Sequence, residues 1–211
     1  MTDTYEDLQA AVIDGDAQRS RELTGALLDQ GATARGVLDR ALLPAMDIVG
    51  QRMRSGETFI PEVLLSARTM QGALELLKPL LAAGDSGSLG TLVIGTVEGD
   101  VHDIGKNLVA MMLEGAGFTV VNLGTGITSQ QFVAAVKEYR PHLLGMSGLL
   151  TTTIPRMGET LDALEAEGLR DGLKVLCGGA PVTQRFVDSI GADGYGPNAA
   201  AAVDLAKGLV L

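Results

Sequence analysis

The chain has 211 residues, 46% of them hydrophobic, which is enough for one large domain or two small ones with real cores. Its net charge of −10 would repel a phosphate backbone, and we find no lysine and arginine cluster to offset that repulsion, so nucleic acid is not an expected partner. The only cysteine, Cys177, excludes an intramolecular disulfide and a cysteine-rich zinc site. No apolar run approaches the roughly 18 residues of a membrane span, and the first residues lack a signal-peptide pattern. We therefore expect a cytoplasmic protein that does not enter a membrane.

Residues 4–82 carry the apolar spacing of helices. Apolar side chains recur three and four positions apart, as in Val37, Leu38, Ala41, Leu42, Ala45, Ile48, Val49 and Met53. The pattern breaks at three glycine-containing points, Asp14–Asp16, Gly31 and Ser55–Glu57. This region is therefore predicted to form a short bundle of four helical segments, with Asp16 as the N-cap of the second.

A change of composition then divides the chain in two. Residues 82–90, AAGDSGSLG, are small, polar and rich in glycine, which is typical of a flexible connector. We therefore predict a helical bundle, the cap domain, over residues 1–85 and a second domain over residues 86–211.

The second domain alternates short β-rich runs with helical segments. The five runs are TLVIGT, FTVVNLG, LLGMSGL, KVLCGG and ADGYG. This alternation predicts an α/β domain, a flavodoxin-like doubly wound sheet of five parallel strands. Ligands of such sheets bind at the carboxyl ends of the strands, so the loops EGDVHDIG, SGLLTTT and GGAPVT are expected to meet at one site.

The first of these loops holds His102, one of only two histidines in the chain. Asp100 stands two positions before it, and a histidine that binds a metal usually donates its other ring N–H to a carboxylate. One histidine gives one coordination bond, which is too few to hold a bare ion. If His102 is a ligand, the other positions must therefore come from a prosthetic group, and a macrocycle with an open axial site is the natural candidate.

Three motifs in order resemble a known family. DVHDIG, with Asp100, His102 and Gly105, resembles the cobalamin-binding signature of corrinoid proteins whose histidine replaces the base of the cofactor. MSGLLTTT resembles the Ser-x-Leu segment of that family, and CGGAPVT resembles its Gly-Gly turn. FIPEVLLSARTMQGALELLKPLL resembles the last helix of the bundle that precedes this domain in methionine synthase. The chain is thus identified as similar to methyltransferase-associated corrinoid proteins, the methyl carriers of methanol, methylamine, betaine and aryl ether systems.

The resemblance implies a role for each matching residue. His102 would be the lower axial ligand of the cobalt, Asp100 would hydrogen-bond its distal nitrogen, and Thr153 would extend this relay. The remaining cofactor-binding residues implied by the motifs are Asp103, Ile104, Gly105, Ser147, Leu149, Thr151, Gly178 and Gly179. Of these, Ser147 and Thr151 would line the slot for the nucleotide tail, Leu149 would form its wall, and the two last glycines would admit the displaced base.

The bundle and the partners are also implied by the family. Phe59 matches the aromatic side chain that shields the upper, methyl-bearing face of the corrin. The cofactor would be cobalamin, which takes a methyl group as cob(I)alamin and then gives it up. The expected partners are a substrate:corrinoid methyltransferase, a second methyltransferase for tetrahydrofolate, a thiol or a related acceptor, and a reductive activation protein. The chain itself would be a non-catalytic or co-catalytic subunit.

Simpler explanations stay open for several of these residues. Asp100 could cap the following helix, although Asp103 suits that role better, and Ser147 with Thr151–Thr153 could cap the helix before Pro155. Phe59 could be an ordinary core residue, and His142 is expected on the surface, away from the site. The alternative function is a cobalamin-dependent sensor that lacks a DNA-binding domain.

Overall fold

The computed structural model describes residues 4–81 and 88–210. The chain divides into two compact units, Met1–Gly87 with Gly115–Gly117, and Ser88–Glu114 with Phe118–Leu211. Most of the predicted connector, residues 82–87, lies outside the described residues. The boundary between residues 85 and 86 stays a prediction.

The described part of the first unit is helical. Its elements are α1 (Tyr5–Ile13), α2 (Ala17–Asp29), α3 (Ala34–Val37), a π-helical turn (Leu38–Leu42), α4 (Leu43–Ser55) and α5 (Ile60–Leu81). Because α3, the π-helical turn and α4 follow one another without a break, residues 4–81 form four helical stretches. The helical bundle predicted from the apolar spacing is confirmed.

Local sequence explains where these helices begin, bend and end. The Asp16 carboxylate caps α2 by accepting a hydrogen bond from the backbone N–H of Arg19 at 2.9 Å. Gly56 ends α4 in the left-handed conformation, with φ of 78°. The π-helical turn, in which Leu43 N–H bonds to the Leu38 carbonyl, is followed directly by Pro44. Because Pro44 has no N–H, the regular bond four residues back cannot form there.

The second unit contains a five-stranded parallel sheet. Its strands are β1 (Thr91–Thr96), β2 (Thr119–Asn122), β3 (Leu143–Ser147), β4 (Lys174–Gly178) and β5 (Gly194–Gly196), in the order β2-β1-β3-β4-β5. The register pairs Thr96 with Ser147 and Ser147 with Gly178, so these residues are neighbours at the carboxyl edge. The predicted doubly wound fold is confirmed, and its topological switch point lies between β1 and β3.

Helices α6 (Ile104–Gly115), α7 (Ser129–Tyr139), α8 (Pro155–Ala166), α9 (Gln184–Ser189) and α10 (Ala199–Val210) complete this unit. One core cluster joins Val93 and Val97 with Phe132 of α7 and Met157 of α8. Successive strand residues point to opposite faces, so the strands bury side chains on both sides of the sheet. Within the described residues, no helix has both the length and the apolar composition needed to cross a membrane.

Candidate functional site

The loops after β1, β3 and β4 meet at the carboxyl edge of the sheet, as their sequence order predicts. Gly148 N–H, just beyond β3, donates to the carbonyl of Gly178 at 3.1 Å. Leu149 N–H, one residue further, donates to the carboxylate of Asp100 in the loop after β1 at 2.6 Å. Backbone and side-chain hydrogen bonds therefore fix the three loops to one another at the switch point.

Asp100 is the centre of this arrangement and is fully buried. Its Oδ1 accepts from His102, while its Oδ2 accepts from the N–H groups of Leu149 and Leu150 and from Thr153 Oγ1 at 3.2 Å. Burial alone would raise the pKa of Asp100. The hydrogen bonds from His102, Leu149 and Leu150 outweigh it and hold the pKa of this carboxyl well below its usual range. Asp100 is therefore ionised throughout the physiological pH range.

The imidazole of His102 is oriented by that carboxylate. Nδ1 of His102 lies 2.7 Å from Asp100 Oδ1, and the backbone N–H of His102 donates to the same oxygen at 3.0 Å. An ionised carboxylate can only accept, so Nδ1 must carry the hydrogen, and in the neutral ring the lone pair is then on Nε2. The side chain of His102 is 48% exposed, which leaves the ring accessible from outside. This is the tautomer that binds a metal through Nε2.

Asp103 directly precedes α6, at the position of a cap. Its carboxylate accepts from the side-chain amide of Asn107 at 3.0 Å. The carboxylate of Asp100, in contrast, accepts from His102 in its own loop and from residues of the loop after β3. The capping alternative for Asp100 is therefore not supported by its contacts.

The hydroxyl residues after β3 have separate environments. Helix α8 begins at Pro155 after Ile154, and no side chain caps it. The simple capping explanation for Ser147 and Thr151–Thr153 therefore does not apply to α8. Thr153 Oγ1 contacts Asp100 and also donates to the carbonyl of Leu150 at 2.9 Å. Ser147 ends β3, whereas Thr151 is exposed in the turn that follows.

Sequence comparisons identify the family. Residues 90–204 match the B12 binding domain family, and residues 4–78 match a second family with the same description. The chain is 40% identical over 205 residues to a corrinoid protein of Desulfitobacterium hafniense, covering 96% of this chain and 95% of that protein. It is 43% identical over 175 residues to dimethylamine corrinoid protein 1 of Methanosarcina acetivorans, covering 82% of each. This chain belongs to the methyltransferase-associated corrinoid proteins.

A solved structure agrees with this assignment. A chain of the methanol:cobalamin methyltransferase complex MtaBC from Methanosarcina barkeri matches with a TM-score of 0.87 and 32% identity, covering 98% of this chain and 79% of that chain. Cobalamin is therefore the cofactor of this corrinoid protein.

Apolar side chains flank His102 on the surface. The large hydrophobic residues that the site exposes are Val101, Ile104, Leu149 and Leu150. Val101 neighbours His102 in the chain and is 77% exposed, while Leu149 and Leu150 donate to Asp100. Several exposed apolar side chains around one loop usually mark a binding site. It suits the broad apolar face of a corrin ring.

The glycines of the site divide into two kinds. At Gly179, where φ is 132°, an added Cβ would lie 1.8 Å from the carbonyl oxygen of Gly148, so any side chain would force the loops after β3 and β4 apart. At Gly178 it would lie 3.1 Å from the carbonyl oxygen of Gly196. At Gly105 an added Cβ would have no atom within 4 Å apart from those of its chain neighbours and its own helix backbone. Gly105, three positions after His102 in the chain, thus borders open space, as a site for a large cofactor requires.

The structure also describes Phe59 and His142, the two residues that were predicted to lie outside the three loops. Phe59, just before α5, belongs to the first unit and is 69% exposed, so it is not an ordinary core residue there. Its role towards the cofactor stays a prediction. His142 lies just before β3, at the opposite edge of the sheet, where its Nδ1 accepts from Thr91 N–H at 3.1 Å.

Buried polar residues beside the site were not predicted from the sequence. Thr96, the last residue of β1, is buried and donates through Oγ1 to the carbonyl of His102 at 2.9 Å. Lys106 is 3% exposed, and its Nζ donates to the amide oxygens of Asn107 and Asn122. Burial lowers the pKa of Lys106, and the carboxylate of Asp103 raises it in part. The one sequence signal is the helical spacing that puts Lys106 in register with buried Ala110 and Leu113.

Proposed function

We propose that this corrinoid protein carries methyl groups on a cobalamin whose cobalt is ligated by His102, with the base of the cofactor displaced. The observation that carries the proposal is the 2.7 Å contact between His102 Nδ1 and Asp100 Oδ1, which leaves Nε2 as the free donor atom. When bound, cobalamin supplies a cobalt ion that accepts and releases the methyl group.

In this proposal the protein holds one hydrogen in place and orients one ring. Asp100 keeps the hydrogen at Nδ1 of His102 and stabilises positive charge that develops on the ring during ligation. Thr153 and the two N–H groups after β3 fix the other oxygen of Asp100, so the carboxylate cannot rotate away. The relay from Thr153 through Asp100 to His102 thus sets both the tautomer and the direction of Nε2.

The nucleotide tail is proposed to bind at the carboxyl edge beyond β3 and β4. Ser147 and Thr151 would line this slot and Leu149 would form its wall. Gly178 and Gly179 would admit the displaced base close to the backbone. The register that sets Ser147 beside Gly178 supports this slot. Asp103, Ile104 and Gly105 are proposed to border the corrin, in agreement with the open space at Gly105.

Phe59 is proposed to shield the upper face of the corrin. Its support is that a large aromatic side chain stays 69% exposed in the bundle. We propose residues 1–85 as the domain that supplies this shield and residues 86–211 as the cobalamin-binding domain.

The proposed partners follow from the named relatives. The relatives include a dimethylamine corrinoid protein and a chain of a methanol:cobalamin methyltransferase complex. A substrate:corrinoid methyltransferase is therefore the first proposed partner. A second methyltransferase for tetrahydrofolate, a thiol or a related acceptor and a reductive activation protein complete the set. We propose a cytoplasmic location, which agrees with the buried free thiol of Cys177. These relatives do not favour the sensor alternative.

The ligand role of His102 is tested by electron paramagnetic resonance of the cobalt(II) form. In protein that carries ¹⁵N-labelled histidine, the nitrogen splitting is expected to change relative to unlabelled protein. His102→Ala is expected to abolish this label-dependent splitting, and His142→Ala, at the other edge of the sheet, is the matched control that retains it. If the splitting is the same in labelled and unlabelled protein, the base of the cofactor is still the ligand of the cobalt, and the proposal would be wrong.

The carrier role is tested separately with the loaded protein. Added substrate methyltransferases of the methanol and methylamine types are expected to methylate the cofactor of the wild-type protein, which absorption spectroscopy detects. A bound adenosyl ligand after purification from native cells, with no methylation by any such partner, would contradict the carrier role.

A further inference from the structure

Thr96 ties the loop of His102 to the sheet. Its hydroxyl is fully buried and donates to the carbonyl of His102, while its backbone N–H bonds to the carbonyl of Gly124 at 3.0 Å. The two bonds of Thr96 therefore fix the residue that bears the imidazole and, at the same time, join it to the loop after β2. If Thr96 contributed only packing, a valine of the same shape would serve equally well, without the hydroxyl.

The loop after β2, residues 123–126, contacts the backbone of Asp100. Gly126 N–H donates to the carbonyl of Asp100 at 3.1 Å, and Gly124 N–H donates to Asn122 Oδ1 at 3.1 Å. The backbone of Asp100 is therefore held by this loop, and the loop is in turn held by the side chain of Asn122.

Lys106 secures Asn122. Its Nζ donates to Asn122 Oδ1 at 2.7 Å and to Asn107 Oδ1 at 2.6 Å, and Asn122 Nδ2 donates to Asn107 Oδ1 at 3.0 Å. The hydrogen-bond acceptors of this Nζ among the described residues are therefore neutral amide oxygens, while the carboxylate of Asp103 acts on it only through its charge. Burying a charge whose hydrogen-bond partners are neutral amides costs free energy. An apolar residue would avoid that cost, but it could not hold the side chain of Asn122 by hydrogen bonds.

We propose that Thr96 and Lys106 are positioning residues that hold Asp100 and His102 in the ligating arrangement before cobalamin binds. The proposal rests on the proposed ligand role of His102. Thr96 fixes the carbonyl of His102, and Lys106, through Asn122 and the loop of residues 123–126, fixes the carbonyl of Asp100. With both carbonyls held, the imidazole and the carboxylate meet without a further change of the backbone, which lowers the cost of binding.

The first test uses the protein without cofactor. Hydrogen exchange of the His102 backbone N–H, followed by nuclear magnetic resonance, reports how often this residue leaves Asp100. Thr96→Val and Lys106→Met are expected to speed this exchange about tenfold relative to wild type, which corresponds to about 1.4 kcal/mol. Thr96→Ser keeps the hydroxyl and is expected to restore the wild-type rate. Thr91→Val at the other end of β1 and Lys137→Met, at an exposed position of α7, are the matched controls.

The second test uses the loaded protein. The fraction of cobalt(II) that shows splitting from the labelled protein histidine is expected to fall in Thr96→Val and Lys106→Met, and cobalamin affinity is expected to fall about tenfold, as it does when residues that support a metal ligand are lost. Asn122→Ala removes the hydrogen bonds of the same cluster, and because Asn122 is exposed this variant replaces Lys106→Met in the test if Lys106→Met does not fold.

The outcomes separate the two proposals. Exchange rates and histidine splitting equal to wild type in Thr96→Val, Lys106→Met and Asn122→Ala would overturn the positioning role. A wild-type protein without histidine splitting would overturn the ligand role instead. If the ligand role is overturned, hydrogen exchange still tests the positioning role by itself. Exchange of the His102 N–H as slow in Thr96→Val and Lys106→Met as in wild type would overturn that role, and faster exchange would support it.

Discussion

Asp100 Oδ1 accepts two hydrogen bonds from His102, one from its backbone N–H at 3.0 Å and one from Nδ1 at 2.7 Å. The same residue therefore contributes both its main chain and its ring to a single carboxylate oxygen. Only one residue separates Asp100 and His102 in the sequence, so both contacts form within one short loop. Asp100 fixes the position of the backbone and the tautomer of the ring together.

Asp100→Asn is expected to weaken both stability and ligation. The amide can present only one oxygen, so its Nδ2 must face either the N–H groups of Leu149 and Leu150 or those of His102. Two donors then face each other in a buried place, which costs about 1–3 kcal/mol. Urea unfolding of the cofactor-free protein checks this value. Loss of the oriented tautomer should also lower the affinity for cobalamin about 10- to 100-fold.

Asp171→Asn is the control, because Asp171 is exposed. It is expected to match the wild-type protein in both measurements. An Asp100→Asn protein as stable as wild type would mean that the amide finds acceptable partners on both sides, and this account of the carboxylate would be wrong.

Gly179→Ala is expected to destabilise the second unit by about 3 kcal/mol or more. The new Cβ would meet the backbone oxygen of Gly148 at 1.8 Å, and backbone cannot yield as a flexible side chain can. Gly168→Ala is the control, since Gly168 also has positive φ, 67°, but no atom within 4 Å of an added Cβ. It should cost only about 1–2 kcal/mol from the left-handed conformation. Equal costs in urea unfolding would rule out the steric explanation.

Gly105→Ala is expected to affect stability and binding in opposite directions. Gly105 lies in the first turn of α6 with no atom within 4 Å of an added Cβ, so alanine should stabilise the cofactor-free protein by up to about 1 kcal/mol. Because the open space is proposed to receive the corrin, the same methyl group should reduce cobalamin affinity. Thermal unfolding and absorption titration measure the two effects.

Gly208→Ala in α10 provides the comparison, as Gly208 is another helical glycine with no neighbour within 4 Å. It should gain similar stability and bind cobalamin as wild type does. If Gly105→Ala also binds cobalamin normally, the corrin does not approach this position.

Much of the fold could be predicted because its signals are local. The run TLVIGT coincides with β1, Thr91–Thr96, and the carboxylate of Asp16 caps α2 as its place before a helical segment indicates. Strand ends were less well defined. The run ADGYG forms a strand only over Gly194–Gly196, because short glycine-containing strands have few side chains to set their limits.

The site was predictable only where its residues are close in the chain or match a known motif. Asp100 and His102 are two positions apart, so their pairing could be foreseen. Lys106 and Asn122 are 16 positions apart, and no local periodicity brings an amide oxygen at the end of β2 to a lysine in α6. Such contacts depend on how the loop after β2 folds back towards β1. They became apparent only from the structure.

Cys177 is expected to be unreactive in the folded protein. Burial raises the pKa of its thiol to about 12, while Arg170 lowers it and Asp193 raises it by smaller amounts. Because the thiolate is the reactive form, iodoacetamide at pH 8 should leave native protein unmodified and label it fully in denaturant, which mass spectrometry detects. Rapid labelling of the native protein would mean that β4 opens far more readily than its burial indicates.

Acid is expected to remove the stabilisation that Asp193 provides to the second unit. Burial alone would raise the pKa of Asp193, but hydrogen bonds from the N–H of Val175 at 2.8 Å and from Arg170 at 2.6 Å lower it overall. A carboxyl whose pKa is lower in the folded than in the unfolded chain stabilises the fold fully above the unfolded value, about 4. That stabilisation is lost as the pH falls through the folded value.

Asp193→Asn tests this dependence. At pH 7 the variant is expected to be less stable than wild type by about 1–3 kcal/mol, because Arg170 and Val175 lose a charged acceptor. The difference should shrink as the pH falls below about 4, where the carboxyl of the unfolded wild-type chain takes up a proton while the folded one does not yet. Urea unfolding at a series of pH values measures it, with Asp188→Asn on α9 as an exposed control whose small effect should not vary in this way. A difference that stays constant down to pH 3 would show that Asp193 acts through its shape and not its charge.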